Sequence, residues 1–316
     1  MSVKFLAHYS GKRLKYINSE LIETGMVNHI GGERLRKTAC FYSEPLNVYI
    51  DTSDGVNEDL DIEEYCGRAI RIIEDANEKP FLFFKSAYSP VKSKKIINMV
   101  EQNNGKVVPF FKWSFNDDFY NDMLPNKDYL IKKRIDTQKT YDIGIFAGTS
   151  NYEYPKPNSS DSRVAWSDYK NFGLGSPENT GHFQIDTRRR VFNNLKESNV
   201  NLFQSSKLPY KEYINKSFEC KMVLNPPGMG EYTSRMVDQS VLGKCVVLRK
   251  TSYDQGHSWQ EFYPQIDFNS PSWKSDFDEV LDNHEEWGKK AKQYYNDFWT
   301  PQAIVDFFTK TIRENL

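Results

Sequence analysis

The stretch that decides the fold is Ser217 to Leu248, SFECKMVLNPPGMGEYTSRMVDQSVLGKCVVL. Its Met222-Val223-Leu224 run has the length and β-branched content of a buried strand. Asn225-Pro226-Pro227-Gly228-Met229-Gly230 then stops it, because prolines and glycines at that density are turn chemistry. Thr233 or Ser234 caps a helix that buries Met236, Val237, Val241 and Leu242, and Gly243 ends it from the C′ position. Cys245-Val246-Val247-Leu248 is a second buried strand. Strand, loop, helix and strand follow one another within the length of a βαβ crossover, about 30 residues.

Backbone chemistry says what the loop and the helix start can bind. The first turn of a helix presents unpaired N–H groups and the positive end of its dipole, so it suits an anion. Gly228 and Gly230 let a ligand approach the main chain. Arg235 lies in the first turn, where a guanidinium fork can grip two phosphate oxygens. Asp238 follows one turn later on the same face, suited to ribose hydroxyls. Together they suggest a nucleotide diphosphate; an i,i+3 surface ion pair after an ordinary loop is the plain alternative.

The segment Phe218 to Val247 resembles the donor site of exostosin-like glycosyltransferases, the family-47 type of GT-B enzyme. The residues that carry the likeness are Lys216-Ser217-Phe218, Leu224, Pro226, Gly228, Ser234-Arg235, Asp238, Gly243 and Val246-Val247. Lys244-Cys245-Val246-Val247 departs from the family's Gly-Cys-x-Pro-Val by placing the Cys one residue later and lacking the proline. A weaker similarity leads to GT-B fucosyltransferases, whose helix opens with Glu-Lys. The resemblance implies a donor pocket of Pro227, Gly228, Glu231, Tyr232, Thr233, Ser234, Arg235 and Asp238. It adds Gly148, after the strand Tyr141 to Ala147, as the glycine that admits the donor pyrophosphate, and Arg188 or Arg189 at a second helix start.

The chain has 316 residues and fits two α/β domains, drawn here as 1–138 on the acceptor side and 139–316 on the donor side. A net charge of −1 gives no overall field that would gather nucleic acid or an anionic membrane. The four cysteines, Cys40, Cys66, Cys220 and Cys245, lack metal spacing and read as free core thiols, which favours a reducing compartment. No segment approaches a membrane span and the first residues lack a signal-peptide core, so the expected location is cytoplasmic, the host cytoplasm if the chain is viral.

In the first half, strands at Val3–Ala7, Asn47–Ile50, Phe81–Phe84 and Val107–Phe111 alternate with helices at Leu14–Thr24, Glu63–Ala76 and Ile96–Asn103. That alternation predicts a parallel sheet, with ligands beyond the carboxyl ends of its strands. The rule selects His8, Asp51, Asp54, Lys85 and Trp113 to face a shared cleft. An inverting transfer needs a general base for the acceptor hydroxyl, and Asp54, then Asp51, then His8 are the candidates. Asp51-Thr52-Ser53-Asp54-Gly55 is equally an ordinary turn with its carboxylates on local backbone.

In the second half, 149–180 is a long polar loop, a lid or surface decoration. Asp186–Ser198 reads as a helix opened by Arg188-Arg189-Arg190, three cations that oppose the helix dipole unless an anion is near. Helices follow at Trp273–Asn283, Glu285–Phe298 and Gln302–Asn315. In GT-B enzymes the last often crosses back onto the first domain, and Ala303, Ile304, Phe307, Phe308 and Ile312 supply it with an apolar face.

The sequence thus reads as two Rossmann-like domains and an inverting transferase that moves a sugar from a UDP- or GDP-linked donor to a glycan hydroxyl. Asp59-Leu60-Asp61 lies far from the donor segment, so transfer is expected without metal or any cofactor beyond the nucleotide-sugar co-substrate. The rivals are a non-catalytic glycan-binding protein on a transferase scaffold, a fucosyltransferase-like enzyme and a DNA-modifying transferase.

Overall fold

Residues 4–8, 25–32, 34–35, 38–51, 64–86, 88, 93–110, 119–147, 191–205, 208–225, 234–250 and 259–316 are described by a computed structural model, and every structural statement below concerns these. The chain divides into two compact units. The first joins Met1–Ser114 to Ser252–Ser258 and Tyr295–Leu316; the second joins Phe115–Thr251 to Trp259–Tyr294.

The first unit is built on strands β1 (Phe5–His8), β2 (Val27–His29), β3 (Thr38–Tyr42), β4 (Asn47–Asp51), β5 (Phe81–Lys85) and β6 (Gly105–Pro109), in the sheet order β2-β1-β3-β4-β5-β6. Strands β4, β5 and β6 are mutually parallel, as the alternation with helices predicts. The parallel expectation fails at β3, which runs antiparallel to both β1 and β4. The link explains it. Only Ser43 to Leu46 separate β3 from β4, tied by the Ser43 hydroxyl and the Leu46 amide at 3.2 Å, and so short a link closes only an antiparallel pair.

Helices α1 (Glu64–Ala76) and α2 (Lys94–Glu101) cover one face, where Ala69, Ile72, Ile96 and Val100 meet Tyr49, Phe81 and Phe83. The other face receives the last helix, Pro301–Arg313. Phe308 stands 5.0 Å from Phe84 and 5.5 Å from Phe41, centroid to centroid, with Ile304, Val305 and Ile312 also buried. Its start is well specified: Thr300 accepts the Ala303 amide at 3.1 Å and Pro301 occupies the first turn.

The second unit has strands β7 (Tyr141–Ile145), β8 (Leu202–Gln204), β9 (Cys220–Asn225), β10 (Cys245–Arg249) and β11 (Gln265–Ile266). Every pairing is parallel and the order is β11-β10-β9-β7-β8. In chain order the helices are α3 (Lys127–Asp136), α4 (191–197), α5 (Tyr210–Phe218), α6 (Ser234–Val241), α7 (Trp273–Asp282) and α8 (His284–Tyr294), so the helix of the first unit just described is α9. Leu195 of α4 and Phe277 of α7 join Ile143, Ile145, Met222, Leu224 and Val247 in one core. Such continuous apolar strands are what a sheet covered on both faces requires.

The described parts of the decisive stretch, 217–225 and 234–248, fold as their sequence predicts. Met236, Val237, Val241 and Leu242 are buried, Gly243 takes φ +69°, and Met222 and Leu224 pair with Cys245 and Val247. The division of the chain differs from the boundary near 138. Helix α3 belongs to the second unit, where Lys133 donates to Asn215 at 2.8 Å and Arg134 pairs with Glu285 at 3.3 Å. Polarity made that helix look like a linker, because it is held by polar contacts and not by an apolar stripe. The expected helix Leu14–Thr24 lies outside the described residues.

Candidate functional site

Numbered by chain order, the strands lie across the second sheet as second, first, third, fourth, fifth. The chain therefore reverses direction of growth between β7 and β9. In open parallel sheets ligands bind beyond the carboxyl ends at such a reversal, because the loops there diverge to opposite faces. Strand β9 leads through Pro226–Thr233 into α6, so the helix start that carries Arg235 follows the strand at the reversal.

Arg235 donates from Nη1 to the carbonyl oxygen of Phe146, one residue past β7, at 3.0 Å. The arginine thus ties the two strands that flank the crevice. It keeps part of its surface on solvent, while the surrounding protein desolvates the guanidinium and lowers its pKa. Tyr213 and Asp238 oppose that shift. Phe146 packs edge-on against Tyr213 at 5.0 Å, and Tyr213 accepts a hydrogen bond from Gln239 Nε2 at 2.8 Å. Burial, reinforced by Asp238, raises the Tyr213 phenol, so it stays neutral.

Asp238 is only 2% exposed. The sequence reading placed it on a ribose; in the fold its charge supports Arg235 from within the protein, and Tyr213, which sequence reasoning did not assign to the site, completes the seat. Nothing in one dimension says that α5, which carries Tyr213, faces Phe146. Ser234 opens α6. Gly148, Arg188, Pro227, Gly228, Glu231, Tyr232 and Thr233 lie outside the described residues, as does Asp54.

In the first unit, the carboxyl ends of β4 and β5 carry a buried ion cluster. Asp51 accepts from Arg68 Nη1 at 2.7 Å and from the Ser86 hydroxyl at 3.0 Å, and all three are 1–3% exposed. Lys85, level with Asp51 on the neighbouring strand, donates to the Ser86 carbonyl at 2.9 Å. Burial pulls its ammonium down to about 8, with Asp51 working against the shift and Arg68 with it. Both Asp51 oxygens are therefore engaged, which suits a structural ion pair better than a base waiting for an acceptor proton. Arg68 and Ser86 carried no motif that could have announced them.

His8 does not join this cluster. Its strand lies two strands from β4, about 10 Å away. Its Nδ1 donates to the Gly31 carbonyl at 3.2 Å, and its ring meets Tyr42 edge-on at 5.9 Å.

Cys40, Cys220 and Cys245 are buried free thiols. Burial pushes Cys40 up to about 11 and Cys220 up to about 12, so both are inert, as expected of core cysteines. Among the described residues no group of His, Cys, Asp and Glu side chains is assembled to hold a metal ion, and no helix is long and apolar enough to cross a membrane. Compared with protein families, curated proteins and solved structures, the chain matches none.

Proposed function

We propose that the chain is a glycosyltransferase of the GT-B type that moves a sugar, with inversion, from a UDP- or GDP-linked donor to a glycan hydroxyl. The observation that supports it most is Arg235, fixed to Phe146 at the strand reversal of a fully parallel sheet. A desolvated, immobilised guanidinium at a helix start is suited to the charge that develops on a departing diphosphate. The bond to the Phe146 carbonyl fixes the fork and the charge of Asp238 favours it, so little reorganisation accompanies bond breaking. The acceptor belongs on the first unit in this reading. Since Asp51 is committed to Arg68 and Ser86, the proton of the acceptor hydroxyl falls to Asp54.

The test is thermal unfolding of the full chain with UDP-, GDP- and dTDP-sugars, since a ligand that binds only the folded state raises the melting temperature. One nucleotide should give a saturable rise that Arg235→Gln abolishes. If none does while a glycan alone stabilises the chain, the non-catalytic glycan-binding reading replaces this one.

A further inference from the structure

The opposite edge of the second sheet carries charge that the donor site does not use. Strands β7, β9 and β10 are neighbours and all begin there, at Tyr141, Cys220 and Cys245. Lys139 precedes β7, Lys244 immediately precedes β10, and Arg134 lies in the last turn of α3. Lys244 is 1% exposed and Arg134 9%. Among the described residues one carboxylate stands against these three cations, Glu285, which pairs with Arg134 at 3.3 Å and is itself 55% exposed. The other nearby acids are taken: Glu219 by Lys216 at 2.9 Å and Asp142 by Lys221 at 2.9 Å.

Main-chain carbonyls occupy part of the cations' capacity. Lys139 donates to the carbonyls of Arg134 and of Thr137, the latter at 2.9 Å, and Lys244 to that of Cys220. The end of the α3 dipole offsets about half a charge. A lysine ammonium has three donors, so one carbonyl does not exhaust Lys244. Arg134 Nε is buried and has no hydrogen-bond partner. An excess of buried positive charge with an orphaned donor is unstable unless a proton leaves or an anion enters.

We propose that this edge binds a free tetrahedral dianion, of the inorganic phosphate or sulfate class, held by Arg134, Lys139 and Lys244. The anion links α3 to the starts of β7 and β10 and acts as a stabilising ligand of the second unit. It is independent of the donor reading, because Arg235 lies past the carboxyl end of β7 and these residues precede the amino ends.

Sulfate is the probe, since it keeps its charge across the range where lysine titrates here. The full chain, without nucleotide, is melted at constant ionic strength with chloride progressively replaced by sulfate up to about 10 mM. At about pH 6 the melting temperature should rise saturably by about 3–6 °C. At about pH 8.5 the rise should shrink. Burial first, then Lys139 and Arg134, bring the Lys244 ammonium down to about 7. Cys220 from β9, Cys245 from β10 and Glu285 from α8 also face it, and Lys292 of α8 borders the same turn at Gly243.

Lys244→Met should abolish the response, and Lys139→Met should at least halve it, which keeps the test decisive if the first variant does not fold. Arg235→Gln should keep the whole response. The proposal is overturned if sulfate gives no saturable rise in the wild type, if the lysine variants that fold respond in full, or if Arg235→Gln loses the response.

Discussion

Each of the two sheets carries charge at its carboxyl edge, to opposite effect. At the carboxyl edge of the first sheet, Asp51 is satisfied by Arg68 and Ser86, leaving its carboxylate no spare oxygen. At the carboxyl edge of the second, Arg235 has a main-chain partner and support from behind, yet keeps part of its surface on solvent. The difference follows from topology. An all-parallel sheet that reverses its growth opens a crevice, and the residues of the following helix start can fill it with function. A sheet that interposes antiparallel β3 has its parallel strands β4, β5 and β6 together at one side, and their ends are available for a closed ion cluster.

The largest effect expected from this contrast is on Asp51. Asp51→Asn strips the charge from a buried pair and leaves Arg68 uncompensated, which should cost about 3–5 kcal/mol in urea unfolding. Stability held within about 1 kcal/mol, with turnover down about 10²–10⁴-fold, would instead make Asp51 the base. Next is Arg235→Lys. An ammonium cannot reproduce a fork, so turnover of a nucleotide-sugar should fall about 10²–10³-fold with unfolding unchanged. Near-normal kinetics remove Arg235 from the site.

A smaller effect tests the tight seam behind α6. A Cβ at Gly288 would lie 2.3 Å from the Gly243 carbonyl oxygen, which is backbone and cannot swing away. Gly288→Ala should cost about 1–3 kcal/mol by overpacking. An unchanged denaturation midpoint means α8 packs otherwise.

The gentlest effect is read against pH, in chloride alone. Lys244 and Lys85 have folded pKa values of about 7 and about 8, below the ordinary 10.5. Between those values and about pH 9 the unfolded chain binds more protons than the folded one, so stability rises with pH across that window; from about pH 9 the thiols of Cys40, Cys220 and Cys245, which burial keeps protonated, work against the rise. Above about pH 10 the buried Tyr213 and Tyr263, whose phenols burial raises, reverse the trend. Lys244→Met should flatten the rise just above pH 7; a variant with the wild-type slope there shows that Lys244 does not carry it.

What could be read from one dimension was what local chemistry dictates. The β9–loop–α6–β10 unit announced itself because periodicity, capping and Gly243 all agree. β3 passed unnoticed although Thr38–Tyr42 is buried almost throughout, since five residues of mixed type carry no period. β8 and β11, of three and two residues, are edge strands whose existence depends on neighbours. The place of Arg235 in the first turn of α6 was legible because it is local. The commitment of Asp51 to Arg68 and Ser86 was not, because those partners come from a helix and from the residue after β5, 17 and 35 residues away.

The return of α9 to the first sheet also has a consequence for synthesis. Phe41 and Phe84 are made well before Phe308, the ring that covers them. The first unit therefore cannot finish its core until α9 has been made. Everything the second unit needs, down to Tyr294, has been made before α9. The order of completion is thus the reverse of the order of translation: the second unit can close on the nascent chain first, whereas the first unit waits for α9 with an apolar face uncovered.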